Sequence, residues 1–117
     1  LQDLELRFAS DEEPFTMTEL FSTLRASIWA EAIAGTPINS FRRNLQRAHL
    51  GHLGQLVLNP SAAPADARSL ARADLLAIAE AIGTADHAQP MDAVTAAHLE
   101  ETTAQISAIL EAGYQRQ

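Results

Sequence analysis

The sequence predicts an all-α protein: a four-helix antiparallel bundle over residues 15–117, preceded over residues 1–14 by an N-terminal arm or the end of an upstream helix. Alanine, the strongest helix former, supplies 23 of the 117 residues. No stretch shows the sustained alternation of apolar and polar residues that a half-buried strand requires. Four amphipathic stretches are separated by short segments that contain proline or glycine, and successive helices with such connections favour a bundle.

Length and charge limit the possible functions. The chain has 117 residues and a mass of 12.6 kDa, which suffices for one core and not for two domains. Its net charge of −7 repels phosphate backbones, so we expect no nucleic-acid partner. The absence of cysteine excludes disulfides, thiolate metal sites and cysteine nucleophiles. No apolar run approaches the ~18 residues of a membrane span, and Leu1 without a signal peptide indicates a piece of a longer protein.

The first helix is predicted over residues 16–34. Thr16 can cap its N-terminus, and Glu19 has the spacing of a capping box. Gly35 can end the helix as a C-cap. At 100° per residue, five apolar side chains share the face expected to point into the core: Met17, Leu20, Phe21, Leu24 and Ile28.

Two large apolar residues of this helix, Trp29 and Ile33, are predicted to project from the opposite face. One interpretation is that the arm over residues 1–14 covers them. The other is that they form a docking patch, because exposed aromatic residues tend to mark interfaces.

The second helix is predicted over residues 40–58, with Asn39 or Ser40 as its N-cap. Leu50 and Val57 are predicted on its outer face, between and beside Arg43 and Arg47. Apolar residues on both faces indicate either a central position in the bundle or a contact outside it. The inner stripe is expected to comprise Phe41, Leu45, Ala48, His52 and Leu56.

Glu31 lies within the apolar face of the first helix, where a lone carboxylate is costly to bury. Arg42 and Arg43 follow across a tight turn, and we predict an ion pair of Glu31 with Arg42, or else with Arg43, that pins the first helix to the second. The alternative is an anionic ligand or peptide bound by Arg42, Arg43 and Arg47.

The third and fourth helices are predicted over residues 66–82 and 91–112, with Gly83 and Gly113 as their ends and Asp92 as an N-cap. The inner side of the third is expected to comprise Ala67, Ala71, Leu75, Ile78 and Ile82. That of the fourth is expected to comprise Thr95, Leu99, Thr102, Ile106, Ile109 and Leu110.

His49 and His52 are three residues apart and could face one metal ion, but two ligands do not make a zinc site. His87 and His98 lie on other segments. We interpret His52 as a core histidine and His49 as half exposed. A metal- or ligand-binding bundle that uses this pair and neighbouring carboxylates is the alternative.

Motifs for catalysis are missing from the sequence. No serine occupies a Gly-x-Ser-x-Gly elbow, and no glycine-rich loop could cradle a phosphate. The adjacent Glu100 and Glu101 point about 100° apart and cannot act as a pair. We therefore predict neither catalytic residues nor a cofactor in this chain.

Two stretches carry a resemblance to a known family. The first is FTMTEL at residues 15–20 with LRASIWAE at 24–31, and the second is RRNLQRAHL at 42–50. Weaker similarity follows in LARADL at 70–75 and HLE at 98–100. Together, from about residue 15 to about residue 110, they resemble the C-terminal helical region of large bacterial zinc-dependent metalloproteases of the Met-zincin type.

The resemblance implies a metzincin-like catalytic domain upstream, in a protein exported to the periplasm or outside the cell. Its zinc is held by an extended His-Glu-x-x-His-x-x-Gly-x-x-His motif. This chain contains no part of that motif, so no zinc ligand or catalytic glutamate carries over to it.

The role that this resemblance implies is structural. The expected partners are the catalytic domain and, for the parent, its peptide or protein substrate. The expected contact residues are Trp29, Ile33, Arg43, Arg47 and Leu50. The alternative is a free-standing helical module that binds a protein partner.

Overall fold

A computed structural model describes residues 16–59, 65–85 and 91–115 of the chain. These residues are all-α, as predicted, and contain no strand. The predicted arm over residues 1–14 lies outside them. The helices are α1 Met17–Ile28, α2 Ala30–Ala34, α3 Ser40–Leu58, α4 Ala65–Thr84 and α5 Ala93–Gln115.

The helices form a bundle in which α3, α4 and α5 each pack against the other two. Helix α1 packs on α3 and α4, and the short α2 packs on α4. No helix in the described ranges is both long enough and apolar enough to cross a membrane.

The predicted N-caps and the C-cap at Gly35 are confirmed. Three N-cap side chains each accept a backbone hydrogen bond from the residue three positions on, at 2.6 to 3.1 Å: Thr16, Asn39 and Asp92. Gly35 ends α2 with φ 76°, a left-handed conformation that glycine adopts without strain. The predicted helix ends at Gly83 and Gly113 are wrong, since α4 continues to Thr84 and α5 to Gln115.

The predicted first helix is two helices, because the backbone leaves the helical conformation at Trp29, with φ −106° and ψ 13°. Side chains of α3 supply hydrogen bonds to carbonyls at the end of α1. The Gln46 amide donates to the Ile28 carbonyl at 3.2 Å, and Arg42 Nη1 donates to the Ser27 carbonyl at 3.3 Å. Helix α3 therefore caps the C-terminus of α1 from the side.

The predicted inner stripes of α4 and α5 are confirmed. Every predicted residue of the α5 stripe is buried. In α4 the predicted residues are also buried, except Ile82, which is partly buried.

The predicted inner face of α1 is largely wrong. Met17, Leu20 and Leu24 are 43, 51 and 49% exposed, whereas Ile28 is buried and Phe21 partly buried. The helix is instead rotated so that Arg25 reaches Asp74 of α4. Leaving Asp74 unpaired in its buried position would be costly, and this contact fixes which side of α1 turns inwards.

The predicted inner face of α3 is also wrong. Phe41 is 68% exposed, and Ala48 and His52 are exposed, while Leu45 and Leu56 are partly buried. The opposite face is the buried one: Gln46, His49, Leu50, Leu53, Gly54 and Val57.

Close approach of α3 and α5 accounts for this choice of face. A Cβ atom at Gly54 would lie 3.2 Å from Ile109 Cδ1, and one at Gly113 would lie 2.7 Å from Val57 Cγ1. Both glycines therefore lie where a side chain on one helix meets the backbone of the other. The face of α3 with Gly54 and Val57 permits this fit.

Burial also corrects two of the predicted contact residues. Trp29 and Leu50 are each 0% exposed, so neither projects from the bundle. The helix break at Trp29 and the inward orientation of this side of α3 place both in the core. Ile33 is 44% exposed, Arg47 is exposed and Arg43 is intermediate.

Candidate functional site

A buried hydrogen bond joins the α1–α2 break to α3. Trp29 Nε1 donates to His49 Nδ1 at 2.8 Å, and His49 is 7% exposed. An indole N–H only donates, so Nδ1 is unprotonated and the imidazole carries its proton on Nε2. Burial, and then the charges of His52 and Arg25, lower the pKa of His49 to about 4.

The side chain of Gln46 extends this contact to α5. Its Nε2 donates to the Ile28 carbonyl, and its Oε1 lies 2.7 Å from His98 Nε2. Because Oε1 accepts, His98 Nε2 carries the proton of that ring. Burial above all lowers the pKa of His98, and Thr102 Oγ1 donates to the His98 carbonyl at 2.8 Å. Buried polar groups thus connect α1, α3 and α5.

A second polar contact joins α1 to α4. Arg25 Nη1 donates to Asp74 Oδ1, and Asp74 is 1% exposed. The other oxygen, Oδ2, is buried and finds no hydrogen-bond partner among the described residues. Burial raises the pKa of Asp74, and the hydrogen bond and charge of Arg25 oppose that shift.

The arginines of α3 each donate to a different group of the chain. Arg42 Nε lies 3.3 Å from Glu31 Oε1, with both side chains about one-third exposed, at 34 and 35%. Arg43 Nη1 donates to the Ile38 carbonyl at 2.8 Å, and Arg47 Nη1 donates to Asn44 Oδ1 at 3.1 Å. Glu31 is therefore paired with Arg42 at the surface and is not buried within an apolar face.

The two histidines of α3 have the opposite environments to those predicted. His49 is the buried one and His52 is exposed. One nitrogen of His49 already accepts from Trp29. Across the ranges that the structure describes, no three residues of types that bind metals are grouped to hold an ion. His87 lies outside those ranges.

Three apolar side chains form an exposed stripe on α1, which we call the α1 apolar face: Met17, Leu20 and Leu24. Their spacing of three and four residues places them on one side of the helix. At its N-terminal end, Met17 and Thr18 border an open pocket of about 350 Å³ with Asp66, Ser69 and Leu70 of α4. Sequence reasoning found these apolar residues but assigned them to the core.

Comparison of the chain with known protein families, with curated proteins and with solved structures finds no match.

Proposed function

We propose that this chain is the non-catalytic C-terminal helical accessory domain of a secreted bacterial zinc-dependent metalloprotease. Peptide hydrolysis and zinc binding belong to an upstream catalytic domain, and this domain supports it by packing against it. The observation that carries this proposal is the α1 apolar face, which the bundle leaves in solvent.

An amphipathic helix normally turns its apolar side towards the core of its domain. In α1 the side with Met17, Leu20 and Leu24 is about half exposed, while a polar residue, Arg25, points towards Asp74. Adjacent exposed apolar side chains tend to mark contact surfaces. A second domain that covers this face would complete the burial of α1.

The upstream catalytic domain is the partner that fits this position. The resemblance that implies it includes residues 15–31, which contain the whole α1 apolar face. A domain attached upstream of residue 16 would be tethered beside Met17. Tethering gives an effective concentration in the millimolar range, so a weak apolar contact suffices for docking.

The polar groups of the bundle support a scaffold role. Trp29, His49, Gln46 and His98 bond one another or the backbone in the interior. These side chains are buried and join helices. A domain with such fixed internal contacts is suited to hold a neighbouring domain in place.

The parent polypeptide tests the proposal. We expect its upstream part to contain the extended zinc motif, and the purified full-length protein to bind zinc and cleave peptides. We expect the double change Leu20→Ser and Leu24→Ser to speed proteolytic cleavage of the segment over residues 1–15 and to lower peptide hydrolysis several-fold. Leu76→Ser is the matched control, because Leu76 is 51% exposed on α4.

Wild-type proteolysis and activity in the double variant would overturn the docking of the catalytic domain on the α1 apolar face. A parent without the zinc motif would remove the protease. If the double variant of such a parent were still cleaved faster than the Leu76→Ser control, the face would have another partner. The function would then be that of a free-standing helical interaction module, which the same exposed face also favours.

A further inference from the structure

Three polar contacts hold the break between α1 and α2 on α3. They are the hydrogen bond from Trp29 to His49 at 2.8 Å and the bonds from Gln46 and Arg42 to carbonyls of α1. Gln46 bonds through an amide, which does not titrate, and Arg42 donates from a guanidinium. Of these three contacts, only that of Trp29 with His49 involves an imidazole, the side chain that ordinarily gains a proton in mildly acid solution.

We propose that the contact between Trp29 and His49 is a proton-operated latch: a second proton on His49 releases the Trp29 indole from α3. The indole offers one N–H and no acceptor. A neutral imidazole accepts that N–H at Nδ1, whereas an imidazolium carries a proton there. Two buried donors then face each other, and neither has its hydrogen bond.

Charged groups around His49 determine the pH at which the latch opens. Arg25 of α1 and His52 of α3 both act on His49 as cations and oppose a second proton. Arg25 is itself paired with Asp74 of α4. The buried Asp74 carboxyl responds in the opposite direction, because its pKa is raised and its neutral form suits burial. His49 is therefore the group through which acid weakens this joint.

The histidine on α5 does not share this role. His98 already donates from Nε2 to Gln46 Oε1, and a second proton on its ring would go to Nδ1. The bond to Gln46 therefore survives in acid, although Arg47, Arg43 and Glu101 also act on His98. The bond from Gln46 to α1 is likewise kept, so the latch is confined to Trp29 and His49.

Other contacts of α1 do not involve His49: Arg25 pairs with Asp74 of α4, and Gln46 and Arg42 bond to carbonyls of α1. The α1 apolar face is in solvent, and the buried apolar residues of this region are Ile28, Trp29 and Ala32. Trp29 is the largest of them. Its release exposes the indole, while these other contacts keep α1 and α2 on the bundle.

The experiment follows Trp29, the sole tryptophan of the chain, by its fluorescence emission as the pH falls. Far-ultraviolet circular dichroism reports the helices in the same samples. We expect the emission to shift to the red between pH 6.5 and about 4, the range over which His49 protonates more readily when released than when buried, before the helical signal falls.

His49→Asn is the decisive variant, because its amide oxygen can accept from the indole and does not titrate. We expect its emission to stay unchanged over that range. His52→Gln is the control; it keeps the transition and moves it towards neutral pH, because one cation near His49 is gone.

The latch is overturned if wild-type emission does not change, if it changes only together with the helical signal, or if His49→Asn shows the same transition. Should His49→Asn fail to fold, ¹⁵N chemical shifts of the imidazole rings in the wild-type chain decide. The Nε2–H tautomer of His49 at neutral pH is required, and the Nδ1–H tautomer excludes the latch.

Discussion

The guanidinium of Arg25 donates to the carboxylate of Asp74, a residue 49 positions further along the chain. Asp74 lies among the core residues of α4, and Arg25 reaches it from α1 with 29% of its own side chain exposed. Burying a carboxylate is tolerated only when it is paired or hydrogen-bonded. This contact therefore determines how α1 is rotated on the bundle.

Arg25→Met should lower the free energy of unfolding by about 3 kcal/mol, since it leaves a buried carboxylate without its cation. Urea unfolding followed by circular dichroism measures the loss. The double change Arg25→Met and Asp74→Leu should recover most of the stability, because it removes the buried charge as well. A double variant no more stable than Arg25→Met would contradict this account.

Stability should fall as the solution is acidified from pH 6.5 to about 4. The pKa of His49 is lowered from 6.5 to about 4, so the unfolded chain binds a proton there before the folded chain does. At about 1.4 kcal/mol per pKa unit, this shift corresponds to about 3 kcal/mol at most. Asp74, with its raised pKa, acts in the opposite sense and offsets part of the loss.

Urea unfolding at a series of pH values checks this dependence, and His49→Asn should reduce it to the part that comes from His98, whose pKa burial also lowers. A wild-type free energy of unfolding that stays constant or rises on acidification would count against it.

Glu31→Gln should cost no more than about 0.5 kcal/mol, because an ion pair with both side chains about one-third exposed is largely screened. Arg42→Leu should cost more, about 1 kcal/mol, because it also removes the hydrogen bond to the Ser27 carbonyl. Urea midpoints measured at low and high salt compare the two. Equal effects, or a loss of several kcal/mol in Glu31→Gln, would show that the pair matters more than its exposure indicates.

Two helical glycines should respond oppositely to alanine. At Gly51 a Cβ would meet nothing within 4 Å among the described residues, so Gly51→Ala should stabilise by about 0.5–1 kcal/mol through helix propensity. At Gly113 a Cβ would lie 2.7 Å from Val57 Cγ1, so Gly113→Ala should destabilise by about 1–3 kcal/mol. Thermal unfolding of both variants checks the signs, and two changes of the same sign would contradict the close approach at Gly113.

The fold class, the N-caps and the inner stripes of α4 and α5 could be predicted from the sequence. Caps depend on a side chain and the backbone three residues away, so local spacing contains the information. In α5 the buried stripe includes Ile106 and Leu110, while the sides away from it are mainly alanine and polar residues. One apolar side per helix makes the periodicity decisive.

The inner faces of α1 and α3 could not be predicted in this way. Helix α3 has leucines on both sides, and the buried side also carries Gln46 and His49, which count as polar in any pattern. The partner of His49 is Trp29, 20 positions away, and the partner of Gln46 is His98, 52 positions away. No short sequence window contains either pair. The rotation of α1 likewise depends on Asp74, whose burial only the tertiary structure reveals.

The bond between Gln46 and His98 has a consequence for the uniqueness of the native state. A helix with leucines on both sides can be turned to bury either side at a similar gain from apolar contacts. A buried amide tolerates only the orientation in which both of its ends find partners. Gln46 therefore selects one orientation of α3 on α5, the one in which both ends of its amide are hydrogen-bonded. We expect a Gln46→Leu chain still to collapse into a compact state. That state should contain several orientations of α3, whereas the native protein has one.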